Sequence, residues 1–219
     1  MSSLQKFLET HTVKSYQRGD VILQQDMEPS CAYGIKNGII KTYNLTAKGE
    51  EKPVGFGTKK ELFPLGWIFD KIHKAQYFYE ALSDCELYAV PKDKLVEFIK
   101  ANPRAMFQLL DRCVWEAMTN EMRINALGHS KASDKVLHII HYLALCFGRD
   151  LQTDIVEIPL PLTQQDVANF TGLTRETISV ELKKLASEKI IFSRNRNLVV
   201  LTDRLNKLLD DDYEQNLVR

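Results

Sequence analysis

Residues 174–183 read TRETISVELK. In a helix, Arg175, Glu176, Ser179, Val180 and Lys183 would share one face. Those side chains have the chemistry of contact with a nucleic-acid duplex. An arginine can donate two parallel hydrogen bonds to O6 and N7 of guanine, and a glutamate can accept one from the cytosine amino group. Val180 carries no polar side-chain atom and can only touch a thymine methyl. Ser179 and Lys183, farther along the same face, suit phosphate oxygens. Ile178, Leu182 and Leu185 fall on the opposite face at helical spacing and should pack inward.

The elements that must hold this face are legible on both sides of it. Upstream, 162–185 reads LTQQDVANFTGLTRETISVELKKL. Thr163 can cap a first helix, with Asp166 three residues on as a capping-box partner. Ala168 is small where two helices would cross. Gly172 supplies a turn in which a positive φ is cheap only for glycine. Thr174 can cap the second helix. The result is a helix-turn-helix, and both threonines, at helix N-termini, are also candidates for positioning phosphates. Downstream, Ile190–Phe192 and Leu198–Leu201 read as two β-rich runs joined by Ser193-Arg194-Asn195-Arg196-Asn197. A basic hairpin after a helix-turn-helix makes a wing, and Arg194 and Arg196 sit where a wing reaches phosphates. From Pro159 to Leu209 eight basic residues stand against five acidic ones, a modest excess that predicts salt-sensitive binding of moderate strength. The acidic run Asp210–Asp212 would oppose a helix dipole, so it marks a helix end or a solvated tail.

The front half has a different texture. Between about Tyr16 and Pro91, short β-type runs recur at Val21–Leu23, Ala32–Lys36, Ile39–Leu45, Val54–Gly57 and Glu86–Val90. Arg18-Gly19-Asp20, Lys36-Asn37-Gly38 and Ala47-Lys48-Gly49-Glu50 separate them, and Asn37-Gly38 is a hairpin signal. The spacing predicts a barrel or jelly roll. From Arg104, a helical pattern runs to Leu127, about 36 Å long. Its seam, Met106, Leu110, Cys113, Ala117, Asn120, Ile124 and Leu127, follows alternating four and three spacings. That is a heptad pattern for pairing two chains, with Asn120 able to fix register. A second stripe, Phe107, Val114, Met118 and Met122, is expected to pack on the barrel. An internal core helix is the alternative reading. Gly128 ends this helix as a hinge, and Ser130 can cap the next, Lys131–Phe147.

Bulk numbers exclude several classes. The 219 residues carry 44% hydrophobic side chains and a formal net charge of zero, so whole-chain charge makes no case for nucleic acid. No window approaches the roughly 20 apolar residues of a membrane span, and the N-terminus lacks an apolar signal region. Cys31, Cys85, Cys113 and Cys146 are scattered without metal or redox spacing, which fits a reduced, cytoplasmic protein. His11, His73, His129, His138 and His141 are dispersed too, only one of them near the strands, so no metal-dependent barrel enzyme is expected.

Sensor barrel, long helix, hinge and winged helix-turn-helix, in that order, resemble the CRP/FNR family of bacterial transcription regulators over nearly the full length. The most specific motif is Thr174-Arg175-Glu176-Thr177-Ile178, similar to the family's S/T-R-E-T-V/I start of the recognition helix. The resemblance implies an α+β fold: a jelly-roll sensor domain of cyclic-nucleotide-binding type (1–103), a dimerisation helix (104–128) and a DNA-binding domain (129–219). It further implies a homodimer that reads a pseudo-palindromic operator in double-stranded DNA and recruits or blocks RNA polymerase. Two departures stand out. Val180 occupies the place of a second arginine in the best-known members, so the half-site should differ from TGTGA. Glu181 stands where the family has an apolar residue. Cyclic-nucleotide members hold the phosphate with Gly-Glu and Arg-Ser pairs, yet residues 63–77 offer Ala75 and Gln76 and no arginine. That argues against a cyclic nucleotide. The lack of an N-terminal cysteine cluster argues against an iron–sulfur centre. His73 alone reads as structural, and Trp67, Phe69, Tyr77, Phe78 and Tyr79 read as core before pocket. The effector is left open, and its expected action is to move Gly128 and set the recognition helices about 34 Å apart. The competing function is a ligand-sensing interaction module that no longer binds specific DNA.

Overall fold

The structure is a computed structural model that describes residues 3–195 and 197–209. Arg196 and the acidic run from Asp210 lie outside the described residues. The chain divides into two units, Met1–Cys113 and Val114–Arg219. The division falls inside the long helix.

In the first unit, α1 (Ser3–Leu8) precedes β1 (Thr12–Tyr16), β2 (Val21–Leu23), β3 (Ala32–Asn37), β4 (Ile40–Leu45), β5 (Glu51–Gly57), β6 (Leu62–Phe63), β7 (Phe78–Ala81) and β8 (Cys85–Val90). These strands form two antiparallel sheets, ordered β1-β8-β3-β6 and β2-β7-β4-β5. Tyr33, Ile35, Phe63 and Leu87 of the first sheet meet Ile40 and Ala81 of the second in one core. A second core forms where α1, the one-turn α2 (Leu65–Ile68), α3 (Lys92–Ala101) and Ala105 cover Ala32, Leu62, Tyr88 and Val90.

The hairpin expected at Asn37-Gly38 does not form. β3 pairs with β6 and β8, whereas β4 pairs with β5 and β7, so the chain crosses from one sheet to the other at this turn. Gly38 has φ 92°, and a Cβ there would lie 2.5 Å from both the Asp84 carbonyl oxygen and Cys85 Sγ. Glycine is demanded by the close approach of the start of β8. A turn dipeptide fixes local backbone and leaves the pairing partner undecided. Strands β1, β6 and β7 escape periodicity reading for separate reasons. β1 is exposed along almost its whole length, β6 has two residues, and β7 is embedded in an aromatic run.

The long helix α4 spans Pro103–Gly128. Proline stands at its first position, and Asn102 Oδ1 accepts the Ala105 N–H at 3.0 Å. Leu110, Ala117, Asn120 and Ile124 are exposed, and Cys113 and Leu127 are half-buried. The second stripe divides: Met122 is buried, but Phe107, Val114 and Met118 are 69%, 50% and 41% exposed and do not pack as expected. Thr119 and Ala126 are buried with Met122. Heptad spacing says which residues share a face and is silent on which face meets a neighbour.

The second unit continues with α5 (Ala132–Phe147), β9 (Arg149–Gln152), β10 (Ile155–Ile158), α6 (Gln164–Thr171), α7 (Arg175–Ser187), β11 (Ile191–Arg194), β12 (Asn197–Leu201) and α8 (Thr202–Asn206). Lys131, not Ser130, is the N-cap residue of α5, and it makes no side-chain cap. The strands form one sheet, β11-β12-β10-β9. The wing strands therefore join a second hairpin, β9–β10. α5 is the hub of this unit: Val136, Ile139 and Ile140 are buried on it, and it contacts β10, α6, α7 and α8.

Candidate nucleic-acid interface

Two capped helices place the outward face. The Thr163 hydroxyl accepts the Asp166 N–H (3.1 Å), and the Asp166 carboxylate accepts the Thr163 N–H (2.7 Å) and hydroxyl (2.6 Å), a complete capping box at the head of α6. α6 ends at Gly172, φ 71°, whose N–H donates to the Ala168 carbonyl. The Thr174 hydroxyl accepts the Thr177 N–H at 3.1 Å and so starts α7. Both cap hydroxyls are thus occupied within their own turns, and at Thr163 the Asp166 carboxylate adds a negative charge.

Along α7, Ile178 is fully buried and Leu185 nearly so, while Leu182 is half-buried. This anchors one side of the helix and turns the other outward. Arg175, Glu176 and Lys183 are exposed, Val180 is 62% exposed, and Ser179 is half-buried. Among the described residues no carboxylate pairs with Arg175 or Lys183. The first turn of α7 therefore presents a guanidinium and a carboxylate side by side, with no competing ion-pair partner among the described residues.

The wing is short. Arg194 pairs in register with Asn197, and Asn195 between them takes a left-handed φ of 50°. Arg194 is exposed, and Phe192 on the same strand is 43% exposed. At the base of the wing, Glu157 on β10 is almost fully buried. It accepts from Asn197 Nδ2 at 3.3 Å and from Arg149 Nη2 at 2.5 Å. The Asn197 hydrogen bond first, then Arg149, holds this carboxyl below its ordinary range against the opposing effect of burial. Sequence reading missed this polar clamp because its members are spread over three strands.

It also missed Arg123. From the second half of α4 this guanidinium stacks 4.1 Å above the Phe170 ring of α6, and Tyr142 of α5 lies 6.1 Å from the same ring. A charged residue on the seam helix reads as solvated until the fold sets it, half-buried, over a ring.

In the first unit, the stretch expected to cradle an effector phosphate is apolar. Trp67, Ile68 and Ala75 are buried, and Gln76 and His73 are exposed. Phe63 stacks between Tyr33 (5.2 Å) and Tyr79 (4.9 Å), filling space between the sheets, and burial pushes the Tyr79 phenol up to about 12. Lys41, a buried cation on β4, is already met by Glu51 at 2.6 Å and Glu80 at 3.2 Å.

Residues 13–102 match the cyclic nucleotide-binding domain family, and residues 136–208 match the Crp-like helix-turn-helix domain family. The HTH-type transcriptional regulator ArcR of Staphylococcus epidermidis is 30% identical over 193 residues, 87% of this chain and 82% of that protein. The chain belongs to the CRP/FNR family of transcription regulators. A second relative, the fumarate and nitrate reduction regulatory protein of Yersinia pestis, is 26% identical over 189 residues, covering 85% of this chain and 74% of that one. The structure of FixK2 from Bradyrhizobium japonicum shares the fold, with a TM-score of 0.75 at 22% identity, covering 92% of this chain and 98% of that chain. CRP/FNR regulators bind DNA and dimerise, and the homologues of this one are regulators, not enzymes. Among the described residues no helix is long and apolar enough to cross a membrane.

Proposed function

We propose that this CRP/FNR regulator acts in the cytoplasm as a homodimer and reads a pseudo-palindromic operator through the outward face of α7. The observation that carries the reading is the head of α7. There Arg175 and Glu176 stand exposed, and unpaired among the described residues, on a helix that is capped by Thr174 and anchored by Ile178. Arg175 takes O6 and N7 of a guanine, Glu176 accepts from a neighbouring cytosine, and Val180 meets a thymine methyl. Ser179, Lys183, Arg194 and Arg196 contact phosphates. Thr163 and Thr174 position the helix N-termini against the backbone, with their hydroxyls retained as caps. Leu110, Cys113, Ala117, Asn120, Ile124 and Leu127 line the seam between protomers, and Gly128 is the hinge. The front unit senses an effector that is not a cyclic nucleotide. The missing arginine, the Phe63 stack and the neutralised Lys41 support this, since a cyclic phosphodiester would find no arginine among residues 63–77 to meet it. Contact with RNA polymerase follows from the family's mode of action.

Selection of bound fragments from random DNA tests the reading. It should return an inverted repeat whose arms contain a guanine at the Arg175 position. The rival reading, an interaction module without specific DNA binding, draws on Val180 and Glu181, which replace an arginine and an apolar residue. Recovery of no enriched sequence, or binding indifferent to both salt and Arg175→Ala, would favour it.

A further inference from the structure

Three helices meet at the Phe170 ring, and one of them is the seam helix. Arg123 comes from α4, Tyr142 from α5 and Phe170 from α6. Phe170 and Tyr142 are 4% and 5% exposed. Tyr142 is also edge-on to Phe147 at 6.1 Å and 78°, so the ring cluster is held from two sides. A guanidinium set over an aromatic face in a desolvated site is an orientation-dependent contact. It is strong only while the cation stays above the ring. Leucine or methionine would fill such a site without fixing an orientation. Arg123 stands four residues after buried Thr119 and directly beside buried Met122.

We propose that Arg123 is a positioning residue for operator recognition. By seating on Phe170 it locks α6, and through α6 the recognition helix α7, at a fixed angle to the seam helix. The two recognition helices of a dimer then have one separation along the DNA. α6 and α7 are packed against each other, and the α6 C-terminus hands the chain to α7 through Gly172 and Leu173, whose N–H bonds the Ala168 carbonyl at 3.2 Å. A rotation of Phe170 therefore moves the head of α7. A dimer of helix-turn-helix units reads two half-sites about one DNA turn apart, so this angle sets the tolerated spacing. The inference rests on the operator reading above.

The test compares wild type, Arg123→Met, Arg123→Lys and Phe170→Leu on the selected operator and on versions with a base pair inserted or removed between the arms. Thermal melts run alongside. Wild type should prefer the selected spacing over either altered one by about ten-fold or more. Arg123→Met and Phe170→Leu should lose affinity for the selected spacing yet bind the altered operators nearly as well as wild type does, so that the preference flattens. Arg123→Lys keeps the cation over the ring and should restore most of the preference. Equal loss on all three operators, or a spacing preference unchanged in both Arg123→Met and Phe170→Leu, overturns the positioning role. Wild type that binds no operator overturns the proposed function itself, an outcome distinct from either. Should Arg123→Met fail to fold, Phe170→Leu and Arg123→Lys still decide the matter.

Discussion

Arg175 and Lys183 sit on one face of one helix, yet their removal should be told apart. If Arg175 reads a guanine as proposed, Arg175→Ala takes away two hydrogen bonds to a base edge, a loss of about 1–3 kcal/mol of discrimination. Fluorescence anisotropy with the selected operator should show affinity falling by roughly one to two powers of ten. Preference should relax at one base pair in each arm. Lys183→Ala, at the proposed phosphate contact, should weaken all sequences alike. Glu157 acts at the same scale on stability. Its carboxyl has a lower pKa in the folded chain than in the unfolded one, through Asn197 and then Arg149. Such a group contributes stability that is fully present above the unfolded value of about 4.3 and is lost as pH falls through the lower folded value. Glu157→Gln should lower the melting temperature at pH 7 and lose less than wild type on acidification. A variant whose melting point tracks that of wild type down to acid pH would remove Glu157 from the acid response.

Among the elements, α4 carries the clearest unsatisfied surface. Phe107, Leu110, Val114, Met118 and Ile124 are between 41% and 70% exposed on one helix. Leu110 and Ile124 belong to the heptad seam, and an exposed apolar seam calls for a second helix. Leu110→Glu with Ile124→Glu should yield monomers by sedimentation velocity, with the melting of the second unit little changed. An unaltered dimer would place the interface elsewhere. Gly128, the last residue of α4, has no neighbour within 4 Å of where a Cβ would stand and needs no positive φ. Gly128→Ala should therefore raise stability by about 0.5–1 kcal/mol by restricting the unfolded chain. Its effect on operator affinity reports on hinge bending, since an added methyl meets nothing and acts only by stiffening the backbone.

At the scale of the whole molecule, net charge is zero and binding must come from local fields. Lys183, Arg194 and Arg196 would give about six cationic phosphate contacts per dimer, and the logarithm of affinity should fall with the logarithm of salt with a slope near −5. A slope near zero would mean that the basic wing does not touch DNA. The caps at Thr163 and Thr174, the turn at Gly172, the inward face of α7 and the two strands of the wing were legible in the sequence, because each is fixed by residues close to one another along the chain. So was the family, through Thr174 to Ile178. Short-range signals failed where the partner lay far off in sequence. Asn37-Gly38 specified a tight turn but could not say that β3 and β4 belong to different sheets, a matter settled by Asp84 and Cys85 crowding Gly38. The stripe through Phe107, Val114 and Met118 has the spacing of a packed face, and only the folded chain leaves it uncovered. The sequence by itself determined which residues could meet a base and how the helix beneath them begins, since hydrogen-bonding groups and cap chemistry are local properties. Tertiary structure alone decided which charges leave water and what meets them: Glu157 between Arg149 and Asn197, and the half-buried Arg123 over Phe170. Desolvation is set by everything that packs around a group, and no window of sequence contains that.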